Sequence, residues 1–415
     1  MGNTERLVIV GAGQAGFAAA AKLRALKDAR PITIIGAEDV LPYQRPPLSK
    51  KYLLGDMSFD RLLFRPMQWY ADNDIELRLS TWVEQICRDE KQLLLQDGTA
   101  VDYATLLLAT GSTPRQLPAA IGGALQGVHV MRDKRDADLL SDALQPGRRV
   151  LIVGGGYIGL EAAAVARHRG LTVTVIEMAE RILQRTSASE TSDIIRSVHR
   201  AHDVTILEKT GLDHLIGTDG RVSGARLSDG TLVDVDCVIV GIGVTPNDQI
   251  ADISGLDVRN GIVVDDFGRT SDPAIFAAGD CASFPWRGGR VRFESVQNAV
   301  DQAEAIAAVI AGGDTPYKPQ PWFWSDQYDV KLQIAGFNLG YDEVLVRPGG
   351  REGSHSVWYF RNDALVSVDA INDATAYIIG RKMLESGVTP DKAALSDPAR
   401  DLKQLLLVES MREKA

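Results

Sequence analysis

Val8-Ile-Val-Gly11-Ala-Gly13-Gln-Ala-Gly16 opens this chain, and Leu151-Ile-Val-Gly154-Gly-Gly156-Tyr-Ile-Gly159 repeats its pattern. Each run passes from apolar residues through spaced glycines into an alanine-rich stretch, which predicts strand, tight turn and helix. One G-x-G-x-x-G is weak evidence, because glycine-rich turns are common. Two in the same local context predict two dinucleotide sites. A chain holding two dinucleotides is suited to passing a hydride between them.

Each fingerprint starts a longer unit, so the sequence reads as an internal duplication. Asp97-Gly98-Thr99 makes a hairpin turn, followed by Val101-Asp102 and the buried run Leu106 to Gly111. Asp229-Gly230-Thr231 does the same, followed by Val233-Asp234 and Val238 to Gly243. A buried strand ending in glycine suits a parallel sheet whose carboxyl edge meets a ligand closely. The first sheet needs a further strand, which Thr270 to Asp280 can supply. From Pro319 the character changes to aromatics and short alternating runs, then a helix over Ala374 to Glu385 stopped by Gly387. That segment predicts an α+β domain without a nucleotide fingerprint.

Bulk properties exclude several classes. At 415 residues, two or three domains are expected, and 45% apolar with 24% charged content is that of a globular chain. A net charge of −10 gives no electrostatic support for nucleic-acid binding. No apolar run reaches membrane-spanning length and the first strand starts by Leu7, so a cytoplasmic location is expected. Cys87, Cys237 and Cys281 are widely spaced and form no C-x-x-C pair, so they read as small buried residues. No metal-ligand cluster stands out.

Helix-start amides attract a pyrophosphate, and the following strand should end near an acidic residue for the adenosine ribose. In the second unit Val173-Thr-Val-Ile-Glu177 supplies that carboxylate, which repels a 2′-phosphate and favours NADH over NADPH. Arg181 reads as a surface charge rather than a phosphate ligand. The first unit departs from the rule, because Ile32-Thr-Ile-Ile-Gly36 ends in glycine. Either Glu38 serves that ribose from farther along, or the backbone of Gly36 and Ala37 does.

These residues resemble bacterial FAD- and NADH-dependent ferredoxin reductases of the putidaredoxin reductase type, within the glutathione-reductase-like superfamily. The matching runs cover nearly the whole chain. They are the two fingerprints, Arg45-Pro-Pro-Leu-Ser-Lys50, Ala109-Thr-Gly111, Gly241-Ile-Gly-Val-Thr-Pro-Asn247, Ala278-Gly-Asp280, Glu294 to Ala299 and Trp322 to Tyr328. The Arg-Pro-Pro-Leu-Ser-Lys and Trp-bearing runs discriminate best.

The resemblance implies an α/β fold with two Rossmann-like dinucleotide-binding domains and a C-terminal α+β domain. Residues 1–112 and 246–318 would form the FAD-binding domain, 113–245 the NAD-binding domain, and 319–415 the third. FAD would lie on the first unit, against Gly11, Gly13, Ala15, Gly16, Ala37, Glu38, Arg45, Lys50, Val83, Ala109, Arg132, Gly279, Asp280, Val296 and Trp324. Asp280 would hold the ribitol, Val83 the adenine end and Arg132 the phosphates. Val296, starting a helix, would bring positive dipole to the reduced isoalloxazine. NADH would meet Gly154, Gly156, Tyr157, Ile158, Gly159, Glu161, Glu177 and Gly243. Lys50 and Glu161 would be the catalytic pair, each keeping the other ionised, with Glu161 on the first turn of the NAD-binding helix.

The stretch Leu41 to Lys50 has no cysteine where disulfide reductases of this superfamily carry theirs. Electrons arriving as a hydride would then leave the flavin directly. A small ferredoxin of 2Fe–2S type, serving an oxygenase, is the expected acceptor. A rubredoxin, or a small oxidant as in an NADH oxidase, is the alternative within enzymes, and a signalling flavoprotein is the alternative outside them. Trp324 reads either as lying between flavin and docking surface or as a core aromatic. Arg287, Arg290 and Arg292 read either as a docking face for an acidic ferredoxin or as a solvated hairpin.

Overall fold

The computed structural model describes residues 5–412. The backbone divides into two compact units. The first contains the residues up to Pro47, Met57–Thr113 and Val244–Pro319. The second contains Leu48–Asp56, Pro114–Gly243 and the chain from Gln320 onward.

In the first unit, five parallel strands run in the order Ile275–Ala277, Thr105–Leu108, Leu7–Val10, Ile32–Ile35, Ile75–Arg78. The inner strands are apolar at successive positions because both faces of the sheet are covered. Ile275–Ala277 is the strand that the sequence requires from Thr270 to Asp280, and it pairs beside Thr105–Leu108. Helix Gln14–Ala25 packs against helix Val296–Ile310, with Ala15, Ala18 and Ala19 in one core with Ala299, Ala303 and Ala307. Small side chains let these helices approach, and the first is alanine-rich for that reason.

The second unit repeats the plan. Its parallel strands run Val204–Glu208, Thr172–Glu177, Arg149–Val153, Cys237–Val240, Val128–His129. Each unit also carries a three-stranded antiparallel excursion, over Val83 to Asp102 in one and Leu212 to Asp234 in the other. Their hairpin turns match: Asp97 accepts from the Thr99 amide at 2.9 Å, and Asp229 from the Thr231 amide at 2.9 Å.

Also in the second unit is a five-stranded antiparallel sheet, ordered Trp322–Gln327, Val330–Gly336, Ala364–Ile371, His355–Arg361, Glu343–Pro348. Helix Ala374–Ser386 closes one face, its first turn capped by Asp373 and its end marked by Gly387 at φ +74°. The sheet's other face is tied to helix Ser189–Ala201. There Thr191 donates to Asp369 at 2.7 Å, and the Ala188 amide donates to the Tyr359 hydroxyl at 3.0 Å.

Candidate active site

Both fingerprint loops turn tightly at glycine. Gly11 has φ +120°, and a Cβ there would lie 2.0 Å from the Ala109 carbonyl oxygen. Gly154 has φ +108°, and its Cβ would lie 2.4 Å from the Gly241 oxygen. Glycine is required at both, since no side chain fits between loop and neighbouring strand. Gly13 and Gly156, by contrast, face open space, with nothing within 4 Å of a Cβ. They head helices Gln14–Ala25 and Tyr157–His168, and neither helix start has a side-chain cap. Uncapped first-turn amides beside open space fit an anionic pyrophosphate in each unit.

The two ribose ends differ. Glu177 ends its strand with Oε2 accepting from the Gly155 amide and Oε1 from the Ala179 amide, both at 2.8 Å. These backbone donors aim the carboxylate while leaving lone pairs for ribose hydroxyls. Arg181 donates to Ser192 at 2.6 Å, so it is anchored to the next helix. In the first unit a Cβ at Gly36 would lie 2.6 Å from the Cβ of Ala12, which explains the glycine. Glu38 stands two residues on, accepting from the Tyr43 hydroxyl at 2.6 Å and from Arg45.

Of the remaining first-unit residues, Gly279 lies beside the fingerprint helix. Gly279 approaches Ala15, with a Cβ–Cβ separation of 3.1 Å for any side chain there, and its amide donates to Gln302 at 2.9 Å. Asp280 accepts from Ser112 at 2.8 Å, a neighbour the sequence did not reveal. Val296 begins its helix after Ser295, whose hydroxyl accepts from the Asn298 amide at 3.1 Å. Val83 starts the small antiparallel sheet and is half-buried. Lys50, Arg132 and Trp324 belong to the second unit.

Lys50 and Glu161 meet as expected. Lys50 Nζ lies 2.7 Å from Glu161 Oε2, and Glu161 is 5% exposed. Ser49 donates to the same oxygen at 3.0 Å, and Ser325 donates to Oε1 at 2.8 Å. One cation and two hydroxyls therefore satisfy a buried carboxylate. Glu161 sits in the second turn of helix Tyr157–His168, not the first, because that helix starts only at Tyr157. Tyr157 packs on Phe323 with ring centroids 4.7 Å apart and shares a 3.0 Å hydrogen bond with Ser187. Ile158 is solvent-facing, and Gly243 follows the strand Cys237–Val240.

Ser49 and Ser325 lay inside runs quoted above, yet only folding shows their partner. A signal did exist for Ser325. With Gln327 it forms a polar pair at strand period in an aromatic run, on one face. Trp324 is half-buried beside Trp322, with ring centroids 5.4 Å apart.

In the basic hairpin Arg287 and Arg290 are exposed, while the Arg292 side chain is drawn inward. Arg292 pairs with Glu294 at 2.6 Å and donates to the Asp280 carbonyl at 3.0 Å. Arg290 donates to the Val264 carbonyl at 2.6 Å, and Arg287 lies over the Trp286 ring. The cysteines are all unbridged. Burial pushes the Cys237 thiol up to about 11 and also raises that of Cys281, opposite to what a reactive thiolate needs.

Residues 5–303 match the pyridine nucleotide-disulphide oxidoreductase family and residues 322–406 the reductase C-terminal domain. Rhodocoxin reductase of Rhodococcus erythropolis is 43% identical over 94% of this chain and 92% of its own length. Putidaredoxin reductase of Pseudomonas putida is 38% identical, with 98% of each chain covered. The solved covalent putidaredoxin reductase–putidaredoxin complex matches with TM-score 0.95 and 37% identity, covering 99% of this chain and 100% of that one. The duplicated cradles, the buried lysine–glutamate pair and these relatives agree: the chain belongs to the pyridine nucleotide-disulphide oxidoreductase family and is an FAD-dependent oxidoreductase using NAD(P)H.

Proposed function

We propose that this protein oxidises NADH and delivers the electrons singly to a small ferredoxin of 2Fe–2S type that serves an oxygenase. FAD, when bound, supplies the conversion from a two-electron hydride donor to one-electron output. Its pyrophosphate would be held by the Gly11–Gly16 loop, its ribose by Glu38, and its ribitol by Asp280. In the second unit Gly154–Gly159 would hold the NADH pyrophosphate and Glu177 its adenosine ribose. Glu177 accepts ribose hydroxyls but repels a 2′-phosphate, so NADH is preferred. Glu161 would orient the nicotinamide carboxamide, and Lys50 would place positive charge where electron density accumulates. A cytoplasmic location accords with three unbridged cysteines.

The observation that carries the acceptor assignment is thiol chemistry. Leu41 to Lys50 contains no cysteine, and Cys237 and Cys281 are buried with raised pKa. No residue pair can take electrons as a dithiol, so a one-electron carrier is the fitting acceptor. The names of rhodocoxin reductase and putidaredoxin reductase, and the complex with putidaredoxin, support the same reading.

The test is anaerobic NADH titration of the flavoprotein, then cytochrome c reduction with and without added 2Fe–2S ferredoxins. Ferredoxin-dependent stimulation is expected. Equal rates with and without every ferredoxin, alongside rapid oxygen or rubredoxin reduction, would replace the acceptor.

A further inference from the structure

Behind the Lys50–Glu161 pair runs a line of buried side chains that the function above does not use. Ser325 donates to Glu161 Oε1 at 2.8 Å, and Gln327 Nε2 donates to Ser325 Oγ at 3.1 Å. His199 Nε2 then lies 2.7 Å from Gln327 Oε1. Ser325 and His199 are 0% exposed, and Gln327 is 2% exposed, so water does not substitute for any link. An amide oxygen can only accept, so Nε2 of His199 carries the proton and Nδ1 is bare. The Tyr328 hydroxyl faces Nδ1 at 3.4 Å, and burial pushes the His199 pKa down to about 4, keeping the ring neutral.

Every hydrogen in this line points toward the carboxylate. The order has one competitor, in which the Gln327 amide flips and the imidazole proton moves to Nδ1. Ser325 would then donate to Gln327, and Glu161 Oε1 would lose its donor. A serine and a glutamine alone cannot choose between the two orders. The imidazole tautomer and the amide orientation choose together: with the Gln327 oxygen facing Nε2, His199 holds the Nε2–H tautomer and the Tyr328 hydroxyl donates to Nδ1. An amide link does not relay protons by ordinary exchange, so the line orients and does not conduct.

We propose that His199, acting through Gln327 and Ser325, is a positioning residue that fixes the orientation of Glu161. It sits on helix Ser189–Ala201, outside both fingerprint sequences. The proposal rests on the reading that Glu161 orients the nicotinamide, and its test separates the two.

The experiment uses FAD-loaded enzyme and anaerobic stopped-flow reduction by NADH. His199→Leu is expected to slow flavin reduction about 10-fold, with the NADH dissociation constant within about 2-fold of wild type. His199→Gln, which restores an N–H at similar reach, is expected to recover the rate to within about 2-fold. Ser325→Ala, a smaller change, should reproduce the slowing and stands in if His199→Leu does not fold. Nitrogen-15 NMR of the imidazoles, independent of turnover, should show His199 as the neutral Nε2–H tautomer from about pH 5.5 to 8. A Nδ1–H tautomer, or wild-type reduction rates in His199→Leu and Ser325→Ala, overturns the proposal. If Glu161→Gln is slow while those variants are not, only the role of His199 falls. If Glu161→Gln itself reduces at the wild-type rate, the reading of Glu161 falls with it.

Discussion

The two dinucleotide cradles share a loop but give one carbon atom to different residues. Where loop and strand end cross, there is room for a single Cβ. The second unit puts glycine in the loop, at Gly155, where a Cβ would lie 2.6 Å from the Ile182 side chain and 3.3 Å from the Cβ of Glu177. The first unit puts Ala12 in the loop, so the strand must end in Gly36. Its carboxylate moves to Glu38, where Arg45 pairs with it. Glu177, in contrast, is held by two backbone amides and no cation among the described residues. This exchange shows why two copies of one motif serve differently. On the proposed assignment, an uncompensated carboxylate at the strand end would read the ribose of a ligand that comes and goes, and a clamped one farther along would suit a resident cofactor.

The strongest way to break the contrast is Gly36→Glu, which forces two Cβ atoms into the space for one. It should cost about 1–3 kcal/mol of stability and yield flavin-depleted protein, with Ala12→Gly in the same chain restoring FAD. Flavin content per chain and thermal unfolding check this. Next comes a double dissociation at the ribose ends. Glu177→Ala should raise the KM for NADH about 10- to 100-fold with normal flavin content, since charged hydrogen bonds contribute about 1.5–3 kcal/mol. Glu38→Ala should lower flavin retention and leave the KM for NADH alone.

A third variant probes what stands behind the second cradle only. Asp369 is fully buried, and burial lifts its carboxyl to about 6 from 3.8 in spite of donation from Tyr359 and Thr191. The folded state binds this proton more tightly, so its contribution to stability is present below about pH 4. It is lost as pH rises through about 6, by on the order of 2–3 kcal/mol. Asp369→Asn should flatten that segment of the stability–pH curve, measured by denaturant unfolding at pH 4 to 8. The smallest effect expected is from replacing Cys87, Cys237 and Cys281 together by alanine. Flavin reduction by NADH and ferredoxin reduction should both stay within about 2-fold, with only the packing cost of lost buried thiols.

The sequence made the duplication and the parallel sheets readable, because glycine spacing and apolar runs are local signals, whereas the lysine–glutamate pair came only from the family resemblance. What it hid were events between distant segments. Gly36 looked like a missing acid until the Cβ of Ala12 explained it. Ser325 and Gln327 looked like part of an aromatic run, yet their partners, Glu161 and His199, lie on other elements. Charge density alone did not show that Arg290 and Arg292 are already bonded to backbone carbonyls of their own unit.

On the proposed function, the second cradle alone would receive the exchangeable NADH while the first would retain FAD. Anaerobic titration of wild-type and Glu177→Ala enzyme with NADH, followed by flavin absorbance, tests it most directly. The account predicts stoichiometric bleaching in the wild type, and intact flavin needing far more NADH in the variant. Loss of flavin from Glu177→Ala, or equal titration of both proteins, would contradict it.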